Sequence, residues 1–159
     1  MLSWFEDLKI LRGNIGDKIE IFDQYMSKLH NGFDERSANE GFLFLLFYFC
    51  LFSSKLTPRF FAIDNIDTSL NPKLCIALML RLSELSKQSG KQVLLTTHNP
   101  AILDGFDLKD PDNRLFIVSR GPAGQTRVRQ FEKKIEENGH RRLSELFLSG
   151  ALGGLPKGF

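Results

Sequence analysis

Arg59-Phe60-Phe61-Ala62-Ile63-Asp64-Asn65-Ile66-Asp67-Thr68-Ser69-Leu70-Asn71-Pro72 is the stretch whose reading decides the fold. Its apolar run, Phe60 to Ile63, leads directly into the acidic cluster of Asp64 and Asp67. Such a run marks a buried strand of a parallel sheet. A strand of that kind delivers the residue after it to the carboxyl edge of the sheet, where open α/β proteins bind their ligands. Asn71-Pro72 then opens a helix, Asn as cap and Pro in the first turn. The pattern returns as Val93-Leu94-Leu95-Thr96-Thr97-His98-Asn99-Pro100. Two strand ends would therefore lie side by side, one carrying Asp64 and the other His98, with a magnesium-bound nucleotide phosphate between them. The sequence holds no G-x-x-x-x-G-K-[ST] segment that could cradle the phosphates.

Working outward, apolar spacing predicts amphipathic helices over 2–11 (Leu2, Phe5, Leu8, Ile10, Leu11) and 18–30 (Ile19, Phe22, Met26, Leu29), the second ended by Asn31-Gly32. Residues 39–54 form a Phe-rich helix, read as buried on all sides. Further helices are expected over 71–88 (stripe Leu74, Leu78, Leu82, Leu85), 100–104 and 141–148. Strands are expected over 60–63, 91–96 and 115–118, with 126–131 pairing back across the Gly121–Gly124 turn as an antiparallel edge. Residues 150–159 show no regular pattern. Strands alternating with helices define an α/β fold with a mainly parallel sheet, flanking helices and a C-terminal β-hairpin.

With 159 residues, 42% hydrophobic and 25% charged, the chain can build one globular core. A net charge of +2 implies neither nucleic acid nor membrane by itself. Residues 42–52 are too short to cross a bilayer, which takes ~20 apolar residues. Glu6 and Asp7, with no long apolar core behind them, argue against a secretory signal. Cys50 and Cys75 sit in apolar runs without metal-ligand spacing, as expected of two buried, reduced thiols in a cytoplasmic protein.

Each candidate has a plainer alternative. Asp64 can hold magnesium through its hydration shell, or cap the following turn. Asn65 is neutral and cannot act as a base. Asp67 is either a participant in the site or a turn residue, and the turn role is favoured. His98 can meet a γ-phosphate or cap the 100–104 helix. Ser37-Ala38-Asn39-Glu40-Gly41 can offer an anion site at a helix start, although Asn39 as a simple helix cap explains it alone. The basic residues Arg120, Arg127, Arg129, Lys133, Lys134, Arg141 and Arg142, against Glu132, Glu136 and Glu137, read first as a solvated face and second as a nucleic-acid contact. His30 and His140 have no companions in the sequence. Gly13–Lys18 has the wrong spacing for a phosphate loop.

In order along the chain, these motifs resemble the C-terminal lobe of ABC-type ATPases of the SMC, RecF and OLD-like group. They look most like bacterial AAA_21/AAA_15-like ATPases, many of them linked to phage defence. By that resemblance, Phe60–Asp64 is a Walker B strand, 67–72 a D-loop and His98 a switch histidine. Ser37–Gly41 takes the place of the signature motif, with Ser37 or Asn39 as its serine. Asn65 stands where such ATPases usually carry Glu. The resemblance covers about residues 35–131. It implies a single partial ATPase domain over 1–159: a helical lead-in over 1–36, the motif core over 37–131, and a C-terminal helix and Gly-rich tail over 132–159. ATP and Mg2+ are expected only with an N-terminal lobe that supplies a Walker A, and the chain alone is expected to be inactive. The expected partners are that lobe or a second ATPase subunit, as a homodimer or split assembly in which Ser37, Asn39 and Gly41 act in trans. A nuclease and DNA are further candidates. The expected setting is DNA repair or phage defence.

Overall fold

The computed structural model describes residues 2–27, 32–132 and 141–153. Its centre is a pair of parallel strands, β4 (Phe60–Ile63) and β5 (Gln92–Leu95), in register from Phe60 opposite Gln92 to Ile63 opposite Leu95. Parallel neighbours need a crossover, and it is the long helix between them, Pro72–Ser89. Asn71 caps that helix by accepting the Leu74 N–H at 3.0 Å, and Pro72 occupies its first turn. Gly90 ends it with φ 61, a left-handed conformation that glycine adopts without a Cβ penalty.

The Phe-rich segment forms the first helix, α1 (Glu40–Ser53), so the crossover is α2. Both pack on one face of the β4–β5 pair. Leu45, Tyr48 and Phe52 from α1 meet Cys75, Leu78, Met79 and Leu82 from α2, with Phe61, Ile63, Val93 and Leu95 beneath them. The strands alternate instead of burying both faces. Phe60, Ala62, Gln92 and Leu94 point to the opposite side and are exposed, Phe60 by 61% and Leu94 by 52%. Nor is α1 buried all round. Only the face of Phe42, Leu45, Tyr48 and Phe52 is covered, while Phe47 is 55% exposed. Cys50 lies on the uncovered side, so of the two free thiols only Cys75 is buried. A helix that is apolar on every side gives no sequence signal of which side faces out.

The two helices expected before residue 30 are strands. β1 (Phe5–Leu11) pairs antiparallel with β2 (Lys18–Asp23), which pairs with β3 (Gly32–Asp34). Leu8 faces Ile21 and Ile10 faces Ile19, a period-two match of apolar side chains. The misleading signal was Phe5. A register shift between Phe5 and Asp7 adds a residue to β1. Phe5 and Leu8, three residues apart, then fall on one face and mimic helical spacing. Phe5 and Trp4 pack on Phe42, with ring centroids 5.5 and 5.2 Å away. Leu29 and His30 lie outside the described residues.

After β5 come α3 (Pro100–Asp104), the hairpin β6 (Leu115–Arg120) and β7 (Thr126–Phe131), and α4 (Leu143–Leu148). The hairpin is a separate two-stranded sheet and not an edge of the β4–β5 sheet. Leu103, Phe131, Leu143, Leu146 and Leu152 form its own small core. Among the described residues the architecture is thus α/β with three small sheets, one parallel pair and two antiparallel ribbons, in place of a mainly parallel sheet. Among the described residues, no helix is long and apolar enough to cross a membrane.

Candidate functional site

The parallel register brings the ends of β4 and β5 to one edge, so Asp64 and the Thr96-Thr97-His98 segment leave the sheet side by side. The backbone ladder continues past the strands: the Thr96 N–H donates to the Ile63 carbonyl at 3.0 Å and the Ile66 N–H to the Thr96 carbonyl at 3.1 Å. Thr96 and not His98 is the residue directly at Asp64. Its hydroxyl donates to Asp64 Oδ1 and accepts the Asn65 N–H at 3.0 Å. Asn65 has φ 52, a left-handed conformation that Asn tolerates better than most residues. Asp64, Asn65 and His98 are all exposed.

Asp67 sits in the following turn and is half-buried, its Oδ1 accepting from the Thr97 hydroxyl. Burial, and behind it the charge of Asp67, push the Tyr48 hydroxyl and the Cys75 thiol above their ordinary pKa values. Thr97 also accepts the Asn99 N–H at 2.9 Å, and Asn99 caps α3 through the Ala101 N–H at 2.9 Å. The helix-cap role first weighed for His98 therefore belongs to Asn99.

The Ser37–Gly41 segment divides in the same way. Ser37 belongs to a turn: its hydroxyl donates to Asp34 Oδ1 at 2.9 Å and its amide to the same oxygen at 3.0 Å. The Ser37 hydroxyl, and then its amide, hold the Asp34 carboxyl below the usual carboxylate range. Asn39 is the cap of α1, accepting the Gly41 N–H at 2.9 Å. This segment meets the Asp64 region through the 65–70 turn. Ser69, another left-handed residue at φ 59, donates its hydroxyl to Glu40 Oε2. A Cβ at Gly41 would stand 2.6 Å from the Ser69 carbonyl oxygen, so only glycine allows this approach. Glu40 and Gly41 thus tie the start of α1 to the 65–70 turn, while Ser37 stays bound to Asp34.

Thr96, Thr97, Glu40 and Ser69 were not foreseen as site residues. The Thr-Thr pair at a strand end was a usable signal, since hydroxyls there can reach the neighbouring strand's turn. Nothing local marks Ser69. Among the described residues, no group of three His, Cys, Asp or Glu side chains could enclose a metal ion. Magnesium keeps most of its waters and takes one or two carboxylates plus phosphate oxygens. Asp64 fits: an ionised carboxylate has about four lone-pair sites, of which Thr96 uses one.

The basic segment is partly committed to local structure. Arg120 Nε donates to the Gly124 carbonyl at 3.2 Å, Arg129 to the Leu152 carbonyl and Arg141 to Ser149 Oγ at 2.8 Å. Lys133, Lys134, Glu136, Glu137 and His140 lie outside the described residues.

An exposed carboxylate and an imidazole-bearing segment thus lie near one edge of the parallel strands, next to the turn that meets the start of α1. Comparison with known proteins shows the family. The family described as "AAA domain, putative AbiEii toxin, Type IV TA system" matches residues 22–104, more than half of the chain. The chain belongs to this AAA_21 family. It is also similar in fold to a solved structure from work on "ATP-driven dimerization and DNA stimulated activation of SMC ATPases". The TM-score is 0.56 at 20% identity, over 82% of this chain and 75% of that one. No curated protein sequence matches.

Proposed function

We propose that the chain is the Walker B and switch-histidine lobe of an ATP-driven dimerising clamp serving DNA repair or anti-phage defence. The observation that carries this reading is the interlock at the strand ends, where Thr96 holds Asp64 and Thr97 holds Asp67. Asp64 would hold magnesium through a bound water, and His98 would meet the terminal phosphate. Ser37, Asn39 and Gly41 would face the nucleotide of a second subunit. Magnesium supplies neutralisation of charge developing on the phosphate oxygens. Asp67 acts through Thr97 and the turn, as a positioning residue.

The phosphate-gripping lobe has a natural seat. Parallel strands are ordinarily covered on both faces, yet Phe60, Ala62 and Leu94 are bare on the face opposite α1 and α2. A second lobe packing there would complete the sheet layer.

Asn65 favours a second reading, a non-catalytic scaffold built on the same lobe, because an amide cannot take a proton from the attacking water. Asn65→Glu separates the two. In the assembled ATPase it is expected to raise turnover by about a hundredfold or more. In a scaffold it changes nothing. Glu at φ 52 costs roughly 1 kcal/mol, so the variant's stability is measured alongside.

A further inference from the structure

We infer that Thr96 is the positioning residue that sets which oxygen of Asp64 faces the metal, which rests on the metal-holding role proposed for Asp64. Every polar group of Thr96 is spent on one short stretch of the neighbouring strand end. Its N–H donates to the Ile63 carbonyl and its carbonyl accepts the Ile66 N–H. Its hydroxyl serves the residues between them, Asp64 and Asn65. Thr97 cannot stand in, because its hydroxyl is committed to Asp67 and to the Asn99 N–H.

The chemistry of the two partners fixes the hydroxyl proton. A threonine hydroxyl has one proton to give and two lone pairs that can receive. The Asn65 N–H, 3.0 Å away, can only donate and takes a lone pair. An ionised carboxylate can only accept, so the proton points at Asp64 Oδ1. Asp64 Oδ2 has no hydrogen bond among the described residues, and it is the oxygen left for a water of the magnesium shell. The last bond of an Asp side chain turns between broad wells, and Asp64 is exposed. The Thr96 hydroxyl is therefore what holds its carboxylate in one orientation. Through the Asn65 N–H the same hydroxyl steadies the left-handed backbone at φ 52 directly after the carboxylate. Hydrogen bonds behind a metal ligand orient it, and losing one costs roughly ten- to a hundredfold in metal affinity. Because Asp64 is proposed to reach the ion through a water, the lower end, about tenfold, is expected at Thr96.

The probe is Mn2+ with a non-hydrolysable ATP analogue, given to the chain assembled with a lobe that supplies a Walker A. Free Mn2+ is counted by electron paramagnetic resonance. Thr96→Val keeps the shape of the side chain and removes its hydroxyl. It is expected to weaken Mn2+ binding about tenfold and to leave binding of the analogue in EDTA unchanged. Thr96→Ser keeps the hydroxyl and is expected to bind Mn2+ as the wild type does. In the isolated chain, without metal or nucleotide, the Asn65 amide proton is expected to move upfield in Thr96→Val and to stay in place in Thr96→Ser. Thr96 is exposed, and circular dichroism checks that each variant is folded, with Thr96→Ala taking the place of Thr96→Val if that variant is not. If Asp64→Ala weakens Mn2+ binding and Thr96→Val does not, Thr96 positions nothing while the reading of Asp64 stands. If Asp64→Ala leaves Mn2+ binding unchanged, both fall. Thr96→Ser binding Mn2+ as weakly as Thr96→Val, or an Asn65 amide proton unmoved in Thr96→Val, also overturns the role of the hydroxyl.

Discussion

Phe52→Ala is expected to cost about 3–5 kcal/mol. A domain of this size has roughly 5–15 kcal/mol to lose, so the variant should stand at the edge of unfolding. Phe52 is 1% exposed and packs edge-on against Phe61, with ring centroids 5.2 Å apart. It is where α1 grips the inner face of β4. Truncation removes that contact and leaves a cavity that the surrounding core can fill only in part. Urea unfolding followed by circular dichroism checks it. A loss below ~1 kcal/mol would mean that the α1–β4 contact is not the core described here.

Gly41→Ala is the more local and more informative change. Alanine in a helix is ordinarily favoured over glycine by ~1 kcal/mol. Here the added methyl would meet the Ser69 carbonyl oxygen at 2.6 Å, a backbone atom in a turn already strained by the left-handed Asn65 and Ser69. The clash should reverse the helix preference and leave a net loss of about 1–3 kcal/mol. Amide resonances over residues 65–70 should shift as α1 and the turn separate. If Gly41→Ala stabilises the chain and leaves those resonances in place, segment 37–41 does not touch the turn.

The central layer was legible because its signals are local. The apolar run Phe60–Ile63 and its echo Val93–Leu95 each lead into an Asn-Pro helix start, and both helices begin there. Cap chemistry needs only the residues next to it. The segment 2–11 misled because a bulge places Phe5 and Leu8 on one face, and a bulge has no signature in composition. The even hydrophobicity of α1 hid its exposed side, and with it the exposure of Cys50. At the site, the two neighbouring strand ends could be placed from pattern alone, but the residue found directly at Asp64 is Thr96 and not His98. The residues that hold the carboxylates could not: Thr96 reaches Asp64 and Thr97 reaches Asp67 across about thirty residues of chain, a register that the sequence does not print.

The most direct test uses Mn2+ with ATP as a paramagnetic probe in place of magnesium, titrated into the chain assembled with a lobe that supplies a Walker A and followed by amide line broadening of the chain. Broadening centred on residues 64–67 and 96–98, and abolished by Asp64→Ala in a folded variant, is the predicted result. Broadening centred elsewhere, such as the acidic 107–112 loop, or unchanged by Asp64→Ala, would contradict the assignment of Asp64 as the metal-facing carboxylate.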